Sequence, residues 1–176
     1  SNVGNGLAVS PIINSSNAIS GVSLSGAAAG NYYVAGVNTS PSLTANITPA
    51  PVYVTSGLEA QNKVYNTTNA AVVNVTGAQT LSGVLGSDNL SVSTPSGNQY
   101  TSSFTFSQSN VGTGLAVSPI LNSSNAITGM SLASTTGSTS NYYIAGVNLT
   151  PSLTANITPA PLTITGGLSA NSKVYD

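Results

Sequence analysis

The 176-residue sequence contains no cysteine, histidine, arginine or tryptophan. Without cysteine the chain has no disulfide framework, and without cysteine and histidine it lacks the usual ligands of zinc and other transition metals. A serine nucleophile would have no histidine base, and no Ser-x-x-Lys or Gly-x-Ser-x-Gly motif occurs in its place. We therefore predict that the chain is not an enzyme and binds no metal and no cofactor.

Charge is nearly absent as well. Only 3% of the residues are charged, against about 25% in ordinary soluble domains. The polar residues are instead 29 serines, 21 threonines and 20 asparagines. Such a surface does not attract nucleic acid or anionic lipid, so no nucleic-acid partner is predicted. The acidic residues Glu59, Asp88 and Asp176 are scattered, which argues against a calcium site and against a two-carboxylate glycosidase.

The sequence contains no apolar run of about 18 residues, as a membrane span needs, and no pattern of a signal peptide. The absence of cysteine suits a protein that is exported unfolded through an oxidising compartment. The first residues, SNVGNG, and the last, KVYD, both look like cuts within a repeat. We expect the chain to be a piece of a longer one.

What the sequence does have is an internal repeat. Residues 31–51, NYYVAGVNTSPSLTANITPAP, return at 141–161 with three of the 21 positions changed. Residues 1–24 return at 109–132 with 20 of the 24 residues kept. The two copies are 108 positions apart for residues 1–24 and 110 positions apart for residues 31–51. This offset changes within a stretch of small and polar residues, which is typical of a loop tip. Residues 67–108 occur once.

A Pro-Ala-Pro sequence closes each copy of the repeated passage and marks the predicted boundary between units. Proline favours extended backbone and cannot donate to a central ladder. Stiff linkers are therefore predicted at Pro49, Pro51, Pro159 and Pro161. The chain then holds the C-terminal part of a preceding repeat (1–51), one complete repeat unit (52–161) and the first strand of the following repeat (162–176). A period near 110 residues is too long for a solenoid and favours domains in series.

Short runs that alternate apolar and polar residues predict strands. They are centred on the pairs Val73 and Val75, Leu90 and Val92, Phe104 and Phe106, and Leu162 and Ile164. Turn residues separate these runs, and no stretch has the apolar spacing of a helix. We predict an all-β fold of tandem antiparallel β-sandwich modules, Ig-like and joined end to end. The alternative is a parallel β-helix, which is disfavoured because the repeat has no shorter internal period.

The segments SGLEAQNKVYN and GGLSANSKVYD, followed downstream by NVG, NYY and TANITPAP, resemble the YDG-type repeat of large bacterial surface adhesins. The resemblance covers nearly the whole chain. The family pattern opens with Lys-Val-Tyr-Asp-Gly-Thr-Thr, and this chain replaces its Asp-Gly by Asn66-Thr67. The resemblance implies a filamentous exported protein, secreted through an outer-membrane partner, whose repeats form a stalk. It implies no catalytic residues.

Lys63 and Lys173 are the only lysines and occupy equivalent positions of successive units. One interpretation is a covalent cross-link, in which the lysine amine condenses with an asparagine side chain, assisted by an acid such as Asp88, and releases ammonia. The other is an edge lysine that lays its stem along the sheet and whose charge protects an exposed strand. The second interpretation is favoured.

Two further sets of residues are candidates for contact with sugars. Tyr33 and Tyr143 each follow another tyrosine and could stack on a glycan. Adjacent strand residues point to opposite faces, so packing in the core or at a linker is the favoured interpretation for these tyrosines. The sequence also has nine Asn-x-Ser/Thr triplets, and adhesins that it resembles carry sugars at such sites. Candidate glycosylation sites are Asn38, Asn74 and Asn148.

The predicted function is that of a structural stalk repeat in an extracellular adhesin on the bacterial cell surface. It would space a distal adhesive or effector region from the cell and support attachment or biofilm formation. Its partners would be neighbouring repeats of the same chain and the outer-membrane secretion partner. One alternative is a module that binds host or matrix glycans weakly and gains from multivalency. The other is a head-to-tail polymer, in which residues 162–176 of one copy complete residues 1–51 of another.

Overall fold

The computed structural model describes residues 2–175, so Ser1 and Asp176, which bound two of the predicted segments, lie outside it. The predicted all-β class is confirmed: residues 2–175 contain 13 strands and no α-helix. No helix in this range is long and apolar enough to cross a membrane. The strands are β1 (Gly4–Ala8), β2 (Thr44–Ile47), β3 (Ala50–Val54), β4 (Leu58–Ala60), β5 (Lys63–Val64), β6 (Ala70–Val75), β7 (Leu81–Ser82), β8 (Asn89–Val92), β9 (Gln99–Phe106), β10 (Gly112–Pro119), β11 (Leu132–Thr136), β12 (Tyr142–Val147) and β13 (Thr154–Thr158).

The chain forms two compact units. Unit 1 holds the residues up to 50 together with 140–142, and unit 2 holds residues 51–139 together with those from 143 onward. The largest sheet has the strand order β4-β6-β9-β10-β13-β5. Smaller sheets have the orders β12-β3-β7 and β11-β8, and β1 pairs with β2 in unit 1. The predicted boundary between residues 51 and 52 therefore lies one residue from the division at 50 and 51.

Three strands of unit 2 form where the sequence alternates apolar and polar residues. The valine pair predicted as a strand lies in β6, the leucine-valine pair in β8 and the two phenylalanines in β9, which confirms these predictions. Their inward-facing residues form much of the core, because the apolar side chains on one face of a strand are removed from water when another layer packs on that face. The largest fully buried side chains are Phe104, Phe106, Ile127, Ile157, Val52, Val54 and Val73.

The large sheet is not purely antiparallel as predicted. At its edge β5 runs parallel to β13, with Lys63 opposite Ile157 and Val64 opposite Thr158. Parallel neighbours cannot be joined by a hairpin and need a long crossover connection. We call residues 52–65, which hold most of β3 and all of β4 and β5, the opening segment of unit 2. The connection here runs through nearly the whole unit, because β5 ends the opening segment and β13 is the last strand.

Unit 1 repeats the local structure of the corresponding part of unit 2. β1 and β2 pair in the same register as β10 and β13, with the same bulge near the start of the first strand. In both pairs an asparagine side chain accepts a hydrogen bond at 2.8 Å from a glycine N–H in the bulge, Asn46 from Gly6 and Asn156 from Gly114. Nearly identical sequence therefore gives the same antiparallel strand pair and the same hydrogen bond at the bulge in both places.

The environments of the two copies differ. Ile157 of β13 is 1% exposed, whereas its counterpart Ile47 of β2 is 39% exposed. Ile144 of β12 is buried, whereas its counterpart Val34 is half-buried. Residues 32–37 also form no strand, although their counterparts form β12. The difference follows from packing, because in unit 2 the strands of the opening segment lie against these residues.

The last described segment departs from its prediction. Leu162 and Ile164 alternate with threonines, but none of residues 159–175 lies in a strand. All described residues from 161 onward are exposed. An alternating sequence becomes a strand only when a neighbouring strand satisfies its backbone, and a lone extended segment is not stable in water.

Candidate functional site

A connected group of polar contacts lies at the edge of the large sheet, where the opening segment meets the closing strand β13. We call this region the closure site. It comprises the KVY motif and the turn after it, the end of β13 and the phenylalanine at the end of β9. Its members are Asn62, Lys63, Tyr65, Asn66, Thr67, Thr68, Phe106, Asn156 and Thr158.

Lys63 is held by oxygen atoms of the following turn. Its Nζ donates to the main-chain oxygen of Thr68 at 2.8 Å, to Thr68 Oγ1 at 3.1 Å and to the main-chain oxygen of Ala70 at 3.1 Å. The same Nζ lies 5.8 Å from the centre of the Phe106 ring, which is a cation–π distance. Partial burial lowers the pKa of the Lys63 ammonium group. One side chain therefore fixes the turn between β5 and β6 and covers the edge of the core.

The two ends of the unit are joined by a ladder of hydrogen bonds. The Asn156 N–H donates to Asn62 Oδ1 at 2.7 Å, and the Tyr65 N–H donates to the main-chain oxygen of Thr158 at 2.8 Å. Thr158 Oγ1 donates to the main-chain oxygen of Lys63 at 3.3 Å. These bonds extend the short β5 pairing on both sides. The closure site thus fastens the opening segment of the unit to its final strand.

The Asn66-Thr67 replacement lies in a turn with an unusual backbone. Thr67 has a φ of 68°, in the left-handed region that favours glycine. Asn66 Oδ1 accepts hydrogen bonds from the N–H and the Oγ1 of Thr68, at 3.3 Å and 3.0 Å. The family pattern has glycine where this chain has Thr67, and the positive φ explains why glycine suits the position.

Thr67→Gly is expected to stabilise unit 2 by about 1 kcal/mol. A β-branched residue in the left-handed region costs about 1–2 kcal/mol, and the greater freedom of glycine in the unfolded chain offsets part of the gain. Urea unfolding followed by tyrosine fluorescence measures the change. Thr68→Gly is the matched control and should destabilise, because it removes the hydroxyl that accepts from Lys63. Loss of stability in Thr67→Gly would contradict the prediction.

Lys63→Met is expected to lower the free energy of unfolding of unit 2 by about 1 kcal/mol. Methionine keeps an apolar stem over Phe106 but leaves the acceptor oxygens of Thr68 and Ala70 without their charged donor. Urea unfolding again provides the measurement. Lys173→Met, at the equivalent position of an exposed segment, should change stability by less than about 0.5 kcal/mol. Equal effects at both lysines would contradict the role assigned to Lys63.

The contacts of Lys63 are those expected of an edge lysine. The polar contacts of Lys63 described above come from Thr68 and Ala70, and none involves an asparagine amide. Asp88 lies just before β8. Its carboxylate packs against Gly137, since a Cβ added to Gly137 would lie 2.6 Å from Asp88 Oδ1. β5 is the last strand of its sheet, which is the place expected of an edge lysine. The cross-link stays a prediction, and an intact mass lower by one ammonia would reveal it.

The candidate sugar contacts are spread over the repeat. Tyr143 is half-buried in β12 beside the buried Tyr142, whereas Tyr33 is exposed in unit 1. Among the triplet asparagines, Asn38 and Asn148 are exposed. Asn74 lies in β6, half-buried, and its Oδ1 is buried without a hydrogen-bond partner. Attachment of a sugar is therefore sterically easier at Asn38 and Asn148 than at Asn74.

The four linker prolines occupy different structural positions. Pro49 lies between β2 and β3, and Pro159 directly follows β13. Pro161 lies in the exposed final segment. Pro51 is instead the second residue of β3, so it belongs to a strand and not to a linker. A proline is tolerated there because it stands near the start of a strand, where a missing N–H costs little.

Sequence reasoning missed two asparagines of the closure site, Asn62 and Asn156. Asn156 belongs to one of the nine Asn-x-Ser/Thr triplets, and Asn46 is its counterpart in the repeated sequence SLTANITPAP. That recurrence in a bulge-forming pair is the signal that could have identified a structural side chain. Asn62 has no such signal, because the equivalent position is Ser172. Among residues 2–175 no three or more histidine, cysteine, aspartate or glutamate side chains gather at a possible metal site.

Comparison with protein families assigns the chain to one of them. The profile of the YDG domain matches residues 48–150, which is more than half of the chain. The match includes the opening segment, the closure-site turn and most of the strands of unit 2. No curated protein and no solved structure matches the chain.

Proposed function

Because the chain belongs to the YDG domain family, we propose that it is a stalk segment of an extracellular bacterial adhesin. Each unit is a structural spacer that holds a distal adhesive or effector region away from the cell and so supports attachment and biofilm formation. Secretion through an outer-membrane partner brings the chain to the cell surface. The units are Ig-like sandwich modules joined end to end, and neighbouring repeats are their principal partners.

The observation that carries this proposal is the repetition of structure together with sequence. The β1·β2 and β10·β13 pairs share their register, their bulge and the asparagine that accepts from a bulge glycine. Repetition of the same structural element makes a chain longer without adding a new kind of functional site, which suits a spacer. The scarcity of charge supports the same role, because a hydroxyl-rich, neutral surface stays inert towards charged surfaces.

The closure site supports a load-bearing role. Within unit 2 the chain enters at β3, ahead of β5, and leaves after β13. β3 pairs with β12 and β7, and β4 pairs with β6, so tension from the two ends loads these strands before it reaches β5. Since β5 and β13 run parallel, the tension that reaches them slides the two strands lengthwise in opposite directions. The hydrogen bonds at Asn62, Tyr65 and Thr158 are then loaded together and not one after another. A shared load raises the force at which the unit opens.

The test places strings of increasing numbers of copies of residues 52–161 between a membrane anchor and an epitope on a bacterial surface. Immunogold electron microscopy measures the distance of the epitope from the membrane. We expect the distance to grow in proportion to the number of copies. A distance that does not change with copy number would overturn the spacer role. Binding of the strings to a glycan array, abolished by Tyr143→Ala, would support the glycan-binding alternative instead.

A further inference from the structure

The complete repeat unit, residues 52–161, contains one lysine and no arginine. Proteases of the trypsin class cut after these two residue types, because an acidic group in their specificity pocket binds the cationic side chain. Such a protease therefore finds a single bond to cut in the unit, the bond between Lys63 and Val64. This bond lies in β5, within the closure site.

The groups that a protease must hold around this bond are engaged elsewhere in the folded unit. Lys63 Nζ donates to three oxygen atoms of the following turn, which keeps the side chain out of a specificity pocket. The main-chain oxygen of Lys63 would have to enter the oxyanion hole of the protease, and it accepts from Thr158 Oγ1 at 3.3 Å. The Tyr65 N–H, just beyond the bond, donates to the main-chain oxygen of Thr158. Pairing with β13 thus shields the bond.

The shield is local. β5 has two residues and is the outermost strand of its sheet. Val64 is 52% exposed, so the bond lies at the surface and not beneath a layer of the core. Detachment of β5 from β13 breaks the hydrogen bonds of the closure site and leaves β6, β9 and β10 paired with one another. A short edge element of this kind opens at a lower cost in free energy than the whole unit.

We propose that the Lys63–Val64 bond is a processing site for a serine protease of the trypsin class, shielded while β5 pairs with β13 and cut when this pairing opens. The protease serine attacks the carbonyl carbon of Lys63 and forms an ester with it. The C–N bond to Val64 breaks, and the serine proton passes through the protease histidine to the leaving amine. Water then hydrolyses the ester and leaves a carboxylate on Lys63.

Cleavage would interrupt the covalent connection between β5 and β6. The piece that holds β3 and β4 would then stay on the unit through strand pairing alone, with β12, β7 and β6. In a stalk under load, the tension that reaches β5 opens the site, and cleavage lets the two pieces separate. This release step rests on the proposed stalk function, whereas the shielding of the bond does not.

The test is digestion by trypsin of the 176-residue chain with Lys173→Gln, which leaves Lys63 as its one cleavage site. Mass spectrometry of timed samples measures the cleavage rate, and a peptide of residues 58–69 gives the rate for the unshielded bond. We expect the folded chain to be cut at least about 100-fold more slowly than the peptide. In the same background Thr158→Val should raise the rate about 2- to 10-fold, because it keeps the size of the side chain but removes the donor to Lys63.

Two controls in this background separate local opening from other causes. Thr154→Val changes an exposed threonine of the same strand outside the closure site and should leave the rate unchanged. Gly86→Ala strains unit 2 away from β5 and should also leave it unchanged. Three results would each overturn the proposal: a folded chain cut as fast as the peptide, equal rates for Thr158→Val and Thr154→Val, or an equal rise in Gly86→Ala, which would mean that cleavage follows unfolding of the whole unit.

The release step has its own measurement. The Lys173→Gln chain is held by its two ends in magnetic tweezers, and trypsin is added at constant force. We expect rupture to become faster as the force rises, and to disappear in the chain that also carries Lys63→Met. A rupture rate independent of force would overturn the release step. If the shielding is found but the epitope distance does not grow with copy number, the spacer role fails and the processing site stands.

Discussion

Phe106→Ala is expected to lower the free energy of unfolding of unit 2 by about 3–5 kcal/mol. Phe106 is fully buried at the end of β9, where it pairs with Val117, and its N–H donates to the main-chain oxygen of Asn69 at 2.7 Å. Alanine would remove most of a side chain from a closely packed core and leave a cavity beneath the Lys63 ammonium group. Typical domains are stable by only about 5–15 kcal/mol, so the loss is a large part of the total.

Equilibrium unfolding in urea, followed by tyrosine fluorescence, measures this loss. Tyr33→Ala removes an aromatic ring of similar size from a position that is 61% exposed in unit 1 and should cost less than about 0.5 kcal/mol. Phe106→Leu, which keeps most of the volume, should cost about 1 kcal/mol. A cost below about 1 kcal/mol for Phe106→Ala would mean that β9 does not contribute this residue to the core.

A double-mutant cycle links Phe106 to the closure site. Because Lys63 Nζ lies over the Phe106 ring, the effects of Lys63→Met and Phe106→Leu should fall short of additivity by about 0.5–1 kcal/mol. The closure site is thus coupled to the core beneath it. This coupling gives a physical reason for a lysine in a chain that otherwise avoids charge: the ammonium group serves the turn and the ring at once.

The sequence predicted the positions of several strands but did not predict how the strands pair. Alternation located Phe104 and Phe106 on one strand because a period of two is a property of that strand alone. The parallel contact between β5 and β13 has no such local signal, since it joins residues that are 94 positions apart in the chain, such as Lys63 and Ile157. The acceptors of Lys63 include main-chain oxygens, which every residue has, so side-chain identity did not identify them.

The segments that contain Lys63 and Lys173 also show that local sequence alone does not determine where a strand forms. Residues 52–65 and 162–175 have closely similar patterns, yet the first forms parts of three strands and the second forms none. The difference comes from what lies beside each segment, because strands are stabilised by neighbours and only weakly by intrinsic preference. Fold class could therefore be predicted from composition and alternation, whereas the closure site needed the three-dimensional arrangement.

Gly57→Ala is expected to destabilise unit 2 by about 2–4 kcal/mol, of which about 1–2 kcal/mol comes from the backbone conformation alone. Gly57 has a φ of 81°, which L residues with a side chain rarely adopt. A Cβ there would also lie 2.8 Å from the main-chain oxygen of Ala78 and 2.9 Å from that of Gly77. These oxygens are backbone atoms, so they can move only by shifting the chain between β6 and β7. The Thr76 N–H, which donates to the main-chain oxygen of Gly57 at 3.0 Å, would lose its geometry as well.

Two controls separate these contributions in the same urea experiment. Gly86→Ala, in unit 2 at a φ of 63° with nothing within 4 Å of a Cβ, should show the conformational cost alone. Gly167→Ala stands at the equivalent position of the repeat with the same φ of 81°, but in the exposed segment that forms no strand. It should cost less than about 0.5 kcal/mol, because that segment can relax without disturbing a core. Equal losses for Gly57→Ala and Gly86→Ala would show that the contact with residues 77 and 78 is loose, and that the turn at Gly57 does not hold β4 against β6 as tightly as the structure implies.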